Sequence, residues 1–454
     1  MKSNNHNFIF MLSLLLTLGL IGACCDKEQI KPVLKPLLPA QSISDDAIVS
    51  YFASQIEKEV RDDAPEAAYR DYVKLEEDTR VRRAVWELWC RANNDRLKAN
   101  KWEVKSSSNT IHWSIPMGEQ MRLRLITKGE KPVAGYPLFI NLHGGGSYPD
   151  VSSAWGSMIN EDEWFAALDL SSSYKDAPSF YFVPRMPDDR KGRWHYMPRR
   201  MAIRRTFELS AISGDVDMDR VYLTGISEGG YGTLRIGLFM PDYFAGLGPI
   251  AAATNSLDLC ENLRNVAFRL DVGGADYQFG RTHYAYKWQS RLTELADKHP
   301  NDFIHQVKIH ANYGHAIPYG EVTPWLTSHK RCTYPARITY LYYDIDDGYS
   351  SGVYYLNFKG LCPTPKAKAL FDVVHKGNTY MVKLAKISGS ISGILTIYID
   401  QVDLSKPVTV IYNGQKVYED KVVLSKGVMM EAIAHYGDPR RIFPAKVTIP
   451  ISIN

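Results

Sequence analysis

Val221-Tyr-Leu-Thr-Gly-Ile-Ser-Glu-Gly-Gly230 is the stretch from which the fold is read. An apolar, β-type run ends in Gly225-Ile-Ser-Glu-Gly229 and passes straight into helix-compatible residues, so Ser227 stands at a sharp strand-to-helix turn. Glycines on either side let neighbouring chain pass where a Cβ would clash. Such a turn lifts the hydroxyl above the sheet and points the unpaired N–H groups of the following helix at it. The N–H of Glu228 is then placed to donate to a developing oxyanion. A bare G-x-S-x-G is also an ordinary flexible turn, so the surrounding sequence has to carry the reading.

Upstream, Tyr136-Pro-Leu-Phe-Ile-Asn-Leu142 reads as a buried strand running into His143-Gly-Gly-Gly146. This matches the H-G-G-G loop of lipases and esterases, in which glycines bring backbone N–H groups close to the substrate oxygen, here those of Gly144 and Gly145. Downstream, Asn265–Asp271 is strand-like and leads into Val272-Gly-Gly-Ala-Asp276, and Phe303–Ile309 is strand-like and leads into Asn312-Tyr-Gly-His315. The order serine, acid, histidine is therefore met by Ser227, Asp276 and His315, with acid and base on loops after late strands. Asp271 sits inside its strand and Asp258 comes earlier in the preceding loop, which favours Asp276. Likewise His305 and His310 belong to a strand, which favours His315.

From about Ser114 to Pro324 the chain resembles an α/β-hydrolase of the esterase and dipeptidyl-peptidase-like group. The segment Asp215–Gly232 and the following Met240-Pro-Asp-Tyr-Phe-Ala-Gly246 are similar to secreted esterases related to polyhydroxybutyrate depolymerases and feruloyl esterases. The resemblance implies hydrolysis through a serine acyl-enzyme and leaves the acyl group open, because one fold hosts many substrates. It implies no metal or organic cofactor.

The amino end speaks to location. Phe8–Ile21 is apolar apart from Ser13, Thr17 and Gly19, shorter than the roughly 20 residues a spanning helix takes. Leu20-Ile-Gly-Ala-Cys24 resembles the lipobox of bacterial lipoproteins, which implies that residues 1–24 are a signal peptide and that Cys24 is lipidated, with Cys25 less well placed. The expectation is an exported enzyme tethered to the bacterial outer membrane or cell envelope by acyl chains; an ordinary cleaved secretory signal is the alternative. Without Cys24, the remaining Cys25, Cys90, Cys260, Cys332 and Cys362 are odd in number. Free buried thiols, or one disulfide between Cys332 and Cys362, are both compatible with that. No cysteine spacing resembles a zinc site.

A formal net charge of +4 on 454 residues disfavours nucleic acid as a partner. Arg190-Lys-Gly-Arg193 and Pro198–Arg205 are locally basic; they read as a loop and a solvated helix face, or as a rim favouring acidic substrates. Helical periodicity marks residues 41–110 as an N-terminal helical segment that packs on the hydrolase core or covers its pocket. His112–Ile115 and Met121–Ile126 alternate like antiparallel edge strands at the start of a catalytic domain over 111–330. Trp155 and Trp194 lie in loops and could form a platform for a sugar or aromatic acyl group. Short strand signals from Arg337 onward, with Asn413-Gly414 as a hairpin turn, mark 333–454 as a β-sandwich module that resembles C-terminal modules of exported esterases and peptidases. The sequence thus predicts an α/β-hydrolase sheet with helices on both faces, flanked by these two additions. It points to a carboxylic ester hydrolase acting on small-molecule or polysaccharide esters. An exopeptidase of the same fold and a non-catalytic carbohydrate-binding lipoprotein are the competing readings.

Overall fold

Every residue of strand β3 (Tyr136–Leu142) is buried, as a strand covered on both faces must be. The computed structural model describes residues 39–346 and 348–453, so the predicted signal peptide and Cys24 lie outside the described residues. Around β3 lie β1 (Ile111–Ile115), β2 (Glu119–Lys128), β4 (Ser179–Pro184), β5 (Val216–Ile226), β6 (Gly246–Ile250), β7 (Ala267–Gly273) and β8 (His305–His310). They form one sheet in the order β1-β2-β4-β3-β5-β6-β7-β8. β2 runs antiparallel to β1 and β4, and the pairs from β4 to β8 are parallel. β1 shows the expected alternation of buried and exposed residues because only one of its faces meets the core.

The two faces of the sheet carry separate cores. Leu138, Ile140 and Leu142 join one cluster with residues of α6 (Met197–Ser213), α7 (Glu228–Phe239) and α8 (Arg281–Lys298). Phe139 points the other way, into a cluster with α5 (Met158–Ser173) and α9 (Val322–Leu326). This is the α/β-hydrolase architecture predicted from the sequence.

Residues 38–454 make one compact unit. Of the N-terminal helices α1 (Asp45–Gln55), α2 (Glu66–Tyr69), α3 (Asp78–Ala92) and α4 (Asn94–Ala99), α4 packs against α6 with Leu97 in the hydrolase core, the other three do not lie mainly on that core, and none lines its cleft. Ile48, Phe52, Val85 and Trp89 instead share a cluster with Met429, Met430 and Ile433 of α10 (Lys426–Tyr436). That helix was not anticipated among the C-terminal strands. Its sequence is apolar nearly all round, a pattern that a buried strand shares, although Ser425 caps its start and Gly437, at φ 64°, ends it.

The remaining strands are β9 (Arg337–Tyr342), β10 (Asp344–Ile345), β11 (Gly348–Tyr349), β12 (Gly352–Val353), β13 (Leu356–Pro363), β14 (Lys368–Lys376), β15 (Thr379–Ser388), β16 (Ile391–Ile399), β17 (Val408–Tyr412), β18 (Gln415–Asp420) and β19 (Ala445–Ile453). Sheets β18-β17-β15-β14-β9 and β12-β13-β16-β19 share one core, with Tyr340, Phe371 and Val382 meeting Leu356, Ile397 and Val447. Asn413 and Gly414, both at positive φ, join β17 to β18 as a hairpin turn. Cys332 and Cys362 are exposed and unpaired, so no disulfide links them.

Pro198–Arg205 is not a solvated face. Arg199 and Arg200 are buried, with Arg199 held against Glu119 and Arg200 facing Glu59 and Asp346. Arg61, Arg96 and Arg204 surround buried Glu208. Although burial opposes it, these three cations hold the Glu208 carboxyl down at about 2.

Candidate active site

β5 ends at Ile226 and α7 begins at Glu228, leaving Ser227 alone in the turn at φ 54° and ψ −115°. That is left-handed backbone which a non-glycine residue adopts only when its surroundings force it. The surroundings do so. Ser227 N–H donates to Ile250 O and Tyr231 N–H to Ser227 O, each at 2.9 Å. A Cβ on Gly225 would run into Gly229, and one on Gly229 into the carbonyl of Leu142, so both glycines of the motif are needed for close approach.

Above this turn the loops after β7 and β8 converge. Gly273 lets them touch, because a Cβ there would overlap the Tyr313 and Gly314 carbonyls. The result is a chain of hydrogen bonds. Ser227 Oγ donates to His315 Nε2 over 2.9 Å, and His315 Nδ1 donates to Asp276 Oδ2 over 2.7 Å. The Asp276 side chain is 2% exposed and that of His315 43%. A buried acid thus faces a base that substrate can reach. The rival aspartates are elsewhere: Asp271 binds Arg269 and His310 inside the sheet, and Asp258 faces Lys368 at the surface. His305 and His310 lie in β8, away from Ser227.

Arg281 was not anticipated. Its Nη1 donates to the second oxygen of Asp276 over 2.8 Å, and its Nε donates to Tyr231 Oη over 2.9 Å. The acid is thereby fixed from both sides. Nothing in a single arginine five residues after an aspartate distinguishes this role from a surface ion pair.

The glycine loop is held from below. His143 is buried, and burial together with Arg185 pushes its imidazole down to about 3, so it is neutral; Nδ1 donates to Gly144 O at 2.7 Å and Nε2 accepts from Met186 N–H at 2.8 Å. Asn160 Oδ1 accepts from Gly146 N–H, and its amide donates to Gly146 O, each at 3.0 Å. Gly146 N–H is therefore committed. Gly145, at φ 91°, lines the cleft beside Ser227 and Glu228. Gly144 is buried behind them and does not line the cleft, its missing Cβ leaving room for the Glu163 carboxylate. Burial pushes the Glu163 carboxyl up, with His315 pulling the other way.

The cleft encloses about 560 Å³. Neither tryptophan singled out from the sequence lines it. Trp194 is buried and donates from Nε1 to His143 O at 3.0 Å; it props the glycine loop. Trp155 lies in a separate hollow with Glu119 and Asp188, under the Arg122 guanidinium 4.7 Å from its ring. Arg193 bonds the Glu228 carboxyl at 2.5 Å. Burial raises that carboxyl to about 7, with Arg193 opposing. Among the described residues no three His, Cys, Asp or Glu side chains gather as a metal site requires.

No family model matches the chain, and no curated protein does. Among solved structures it is similar to a thermostable esterase (19% identity, TM-score 0.35, 49% of this chain and 63% of that one). It is also similar to a poly(3-hydroxybutyrate) depolymerase from Bordetella parapertussis (15%, 0.36, 49% and 89%) and to dipeptidyl peptidase 4 from Porphyromonas gingivalis (15%, 0.33, 52% and 36%). The chain thus spans less than two thirds of the esterase and about a third of the peptidase. Its activity has to be read from its own side chains.

Proposed function

We propose that this protein is a serine hydrolase that cleaves carboxylic esters through an acyl-enzyme. The observation that carries the reading is the Ser227–His315–Asp276 hydrogen-bond chain at the mouth of a cleft. Ser227 Oγ attacks the ester carbon while His315 Nε2 takes its proton. Asp276 holds the imidazole with Nε2 toward the serine and stabilises the cation that forms. The oxyanion is received by the N–H groups of Glu228 and Gly145, and in water-poor surroundings each such donor is worth about 3 kcal/mol in the barrier. His315 then returns the proton to the leaving alcohol, and a water deprotonated by the same nitrogen releases the acid.

A fluorophosphonate probe tests this reading. Wild-type protein should label at Ser227, and Ser227→Ala should neither label nor turn over 4-nitrophenyl esters. Folded wild-type protein that stays unlabelled would make the site a binding module. Acylation of Cys24 would tether the enzyme to an envelope membrane; Cys24→Ala should then lose incorporation of labelled palmitate.

A further inference from the structure

The cleft beside Ser227 is lined by three arginines and one carboxylate, Glu228, which Arg193 pairs and Arg235 influences only at longer range. Arg193 is matched by Glu228 and Arg281 by Asp276. Arg235 lines the same cleft and is in ion-pair contact with no carboxylate among the described residues. Its partner is the His195 ring, 2.9 Å from Nη1. Burial, then Arg235 itself, pushes that imidazole down to about 3, so His195 accepts a hydrogen bond without offsetting the charge.

The helix shows where this cation points. Along α7 every residue is buried except Tyr231 and Arg235. Those two share one face with Glu228, at helical spacing, and all three line the cleft. Arg235 is thus the one exposed residue of α7, with Tyr231 half-buried beside it. It lies two turns below Ser227, about 12 Å along the axis at 1.5 Å per residue, and helical side chains lean back toward the N-terminus, here toward Ser227.

The half of the ester that enters this cleft follows from proton transfer. His315 must deliver its proton to the leaving oxygen, so the leaving group lies on the His315 side. His315 and Asp276 are not among the cleft's lining residues, whereas Ser227, Glu228 and Gly145 are. The cleft therefore holds the acyl part.

Building on the serine-hydrolase reading, we propose that this is an acyl pocket for an acid: it takes acyl groups that end in a carboxylate, which Arg235 receives while Ser227 attacks the ester carbon at the other end. Arg235 meets the carboxylate with a charge-assisted hydrogen bond.

The test compares the 4-nitrophenyl ester of adipic acid with that of monomethyl adipate, the same acyl chain without the charge. In each, Ser227 Oγ bonds to the carbonyl carbon, nitrophenolate leaves with its electron pair, and water releases the acid from the enzyme. At low salt the free acid should have kcat/KM higher by about 10- to 100-fold, as one hydrogen bond to a charged group is worth, and added salt should shrink the ratio. Arg235→Gln should bring the ratio to about one and Arg235→Lys should keep part of it, each variant being checked for an unchanged melting temperature. A wild-type ratio at or below one, or a ratio unchanged in Arg235→Gln, overturns the acyl pocket while hydrolysis of the methyl ester upholds the hydrolase. If neither ester reacts, protection decides: adipate should slow fluorophosphonate labelling of Ser227 in wild type and not in Arg235→Gln, and labelling without protection overturns the pocket. Absence of labelling and of turnover removes the hydrolase and the pocket together.

Discussion

Asp271 and Asp276 are built alike and placed differently. Each meets an arginine: Arg269 holds both oxygens of Asp271, and Arg281 holds one oxygen of Asp276. Each also meets a histidine through Oδ2, His310 for Asp271 and His315 for Asp276. Asp271 lies within β7 and its histidine within β8, where the His310 side chain is 6% exposed. Asp276 lies on the loop beyond β7 and its histidine on the loop beyond β8. The ring nitrogen that is engaged also differs. Asp271 takes Nε2 of His310, while Asp276 takes Nδ1 of His315 and leaves Nε2 to face Ser227. An acid and a base in contact are therefore no catalytic device in themselves. The device needs the second nitrogen turned outward, over a nucleophile.

The strongest way to break that contrast is to neutralise each acid. Asp276→Asn should lower kcat by about 10⁴, since asparagine can no longer hold the His315 tautomer or stabilise its cation. Asp271→Asn should stay within about tenfold, or 1.4 kcal/mol of barrier, and should register in the melting temperature instead. If a stable Asp271→Asn variant loses turnover and Asp276→Asn keeps it, the two roles are reversed.

Removing the arginines sharpens the comparison with a smaller effect. Arg281→Met should reduce kcat by about 10- to 100-fold with little change in KM, the loss expected when an orienting hydrogen bond to a charged group goes, and Arg281→Lys should recover part of it. Arg269→Met should leave kcat nearly intact while destabilising the fold by about 3–5 kcal/mol, as removal of one member of a buried pair does. A fall in kcat equal for both methionine variants would mean that general destabilisation, and not positioning of Asp276, is being measured.

The smallest effect belongs to Glu228, the carboxyl nearest the oxyanion donors. Burial raises it to about 7 despite Arg193, so above that pH its charge opposes the oxyanion. In kcat/KM profiles from pH ~5.5 to ~8.5, Glu228→Gln should gain on wild type as pH rises, by about threefold. The stability sign agrees. The folded value lies above the ordinary one of about 4.3, so the group's stability contribution is full below that value and is lost as pH rises through 7. Wild type should lose melting temperature over that window relative to Glu228→Gln. Parallel profiles and parallel melting curves would place the titration on another group.

The sequence by itself determined the strained serine turn, the glycine loop after β3 and the order serine, acid, histidine. Each is local: a few consecutive residues set the backbone path, and chain order sets which loops follow which strands. The reading of Asp276 over Asp271 also came from local position, since a strand interior cannot present a side chain beyond the sheet's end. Tertiary structure alone decided matters that depend on what covers a side chain. Trp194 reads as a loop aromatic and is buried under the glycine loop, and Arg199 and Arg200 read as solvated and are enclosed among carboxylates. The apolar run of α10 reads as strand as well as helix, and became a helix where α1 and α3 supply apolar partners. Arg235 is one of many arginines in the sequence, and acquires its place because the rest of α7 is covered while its own face is left open. Exposure is a property of everything packed around a residue, and no window of sequence contains it.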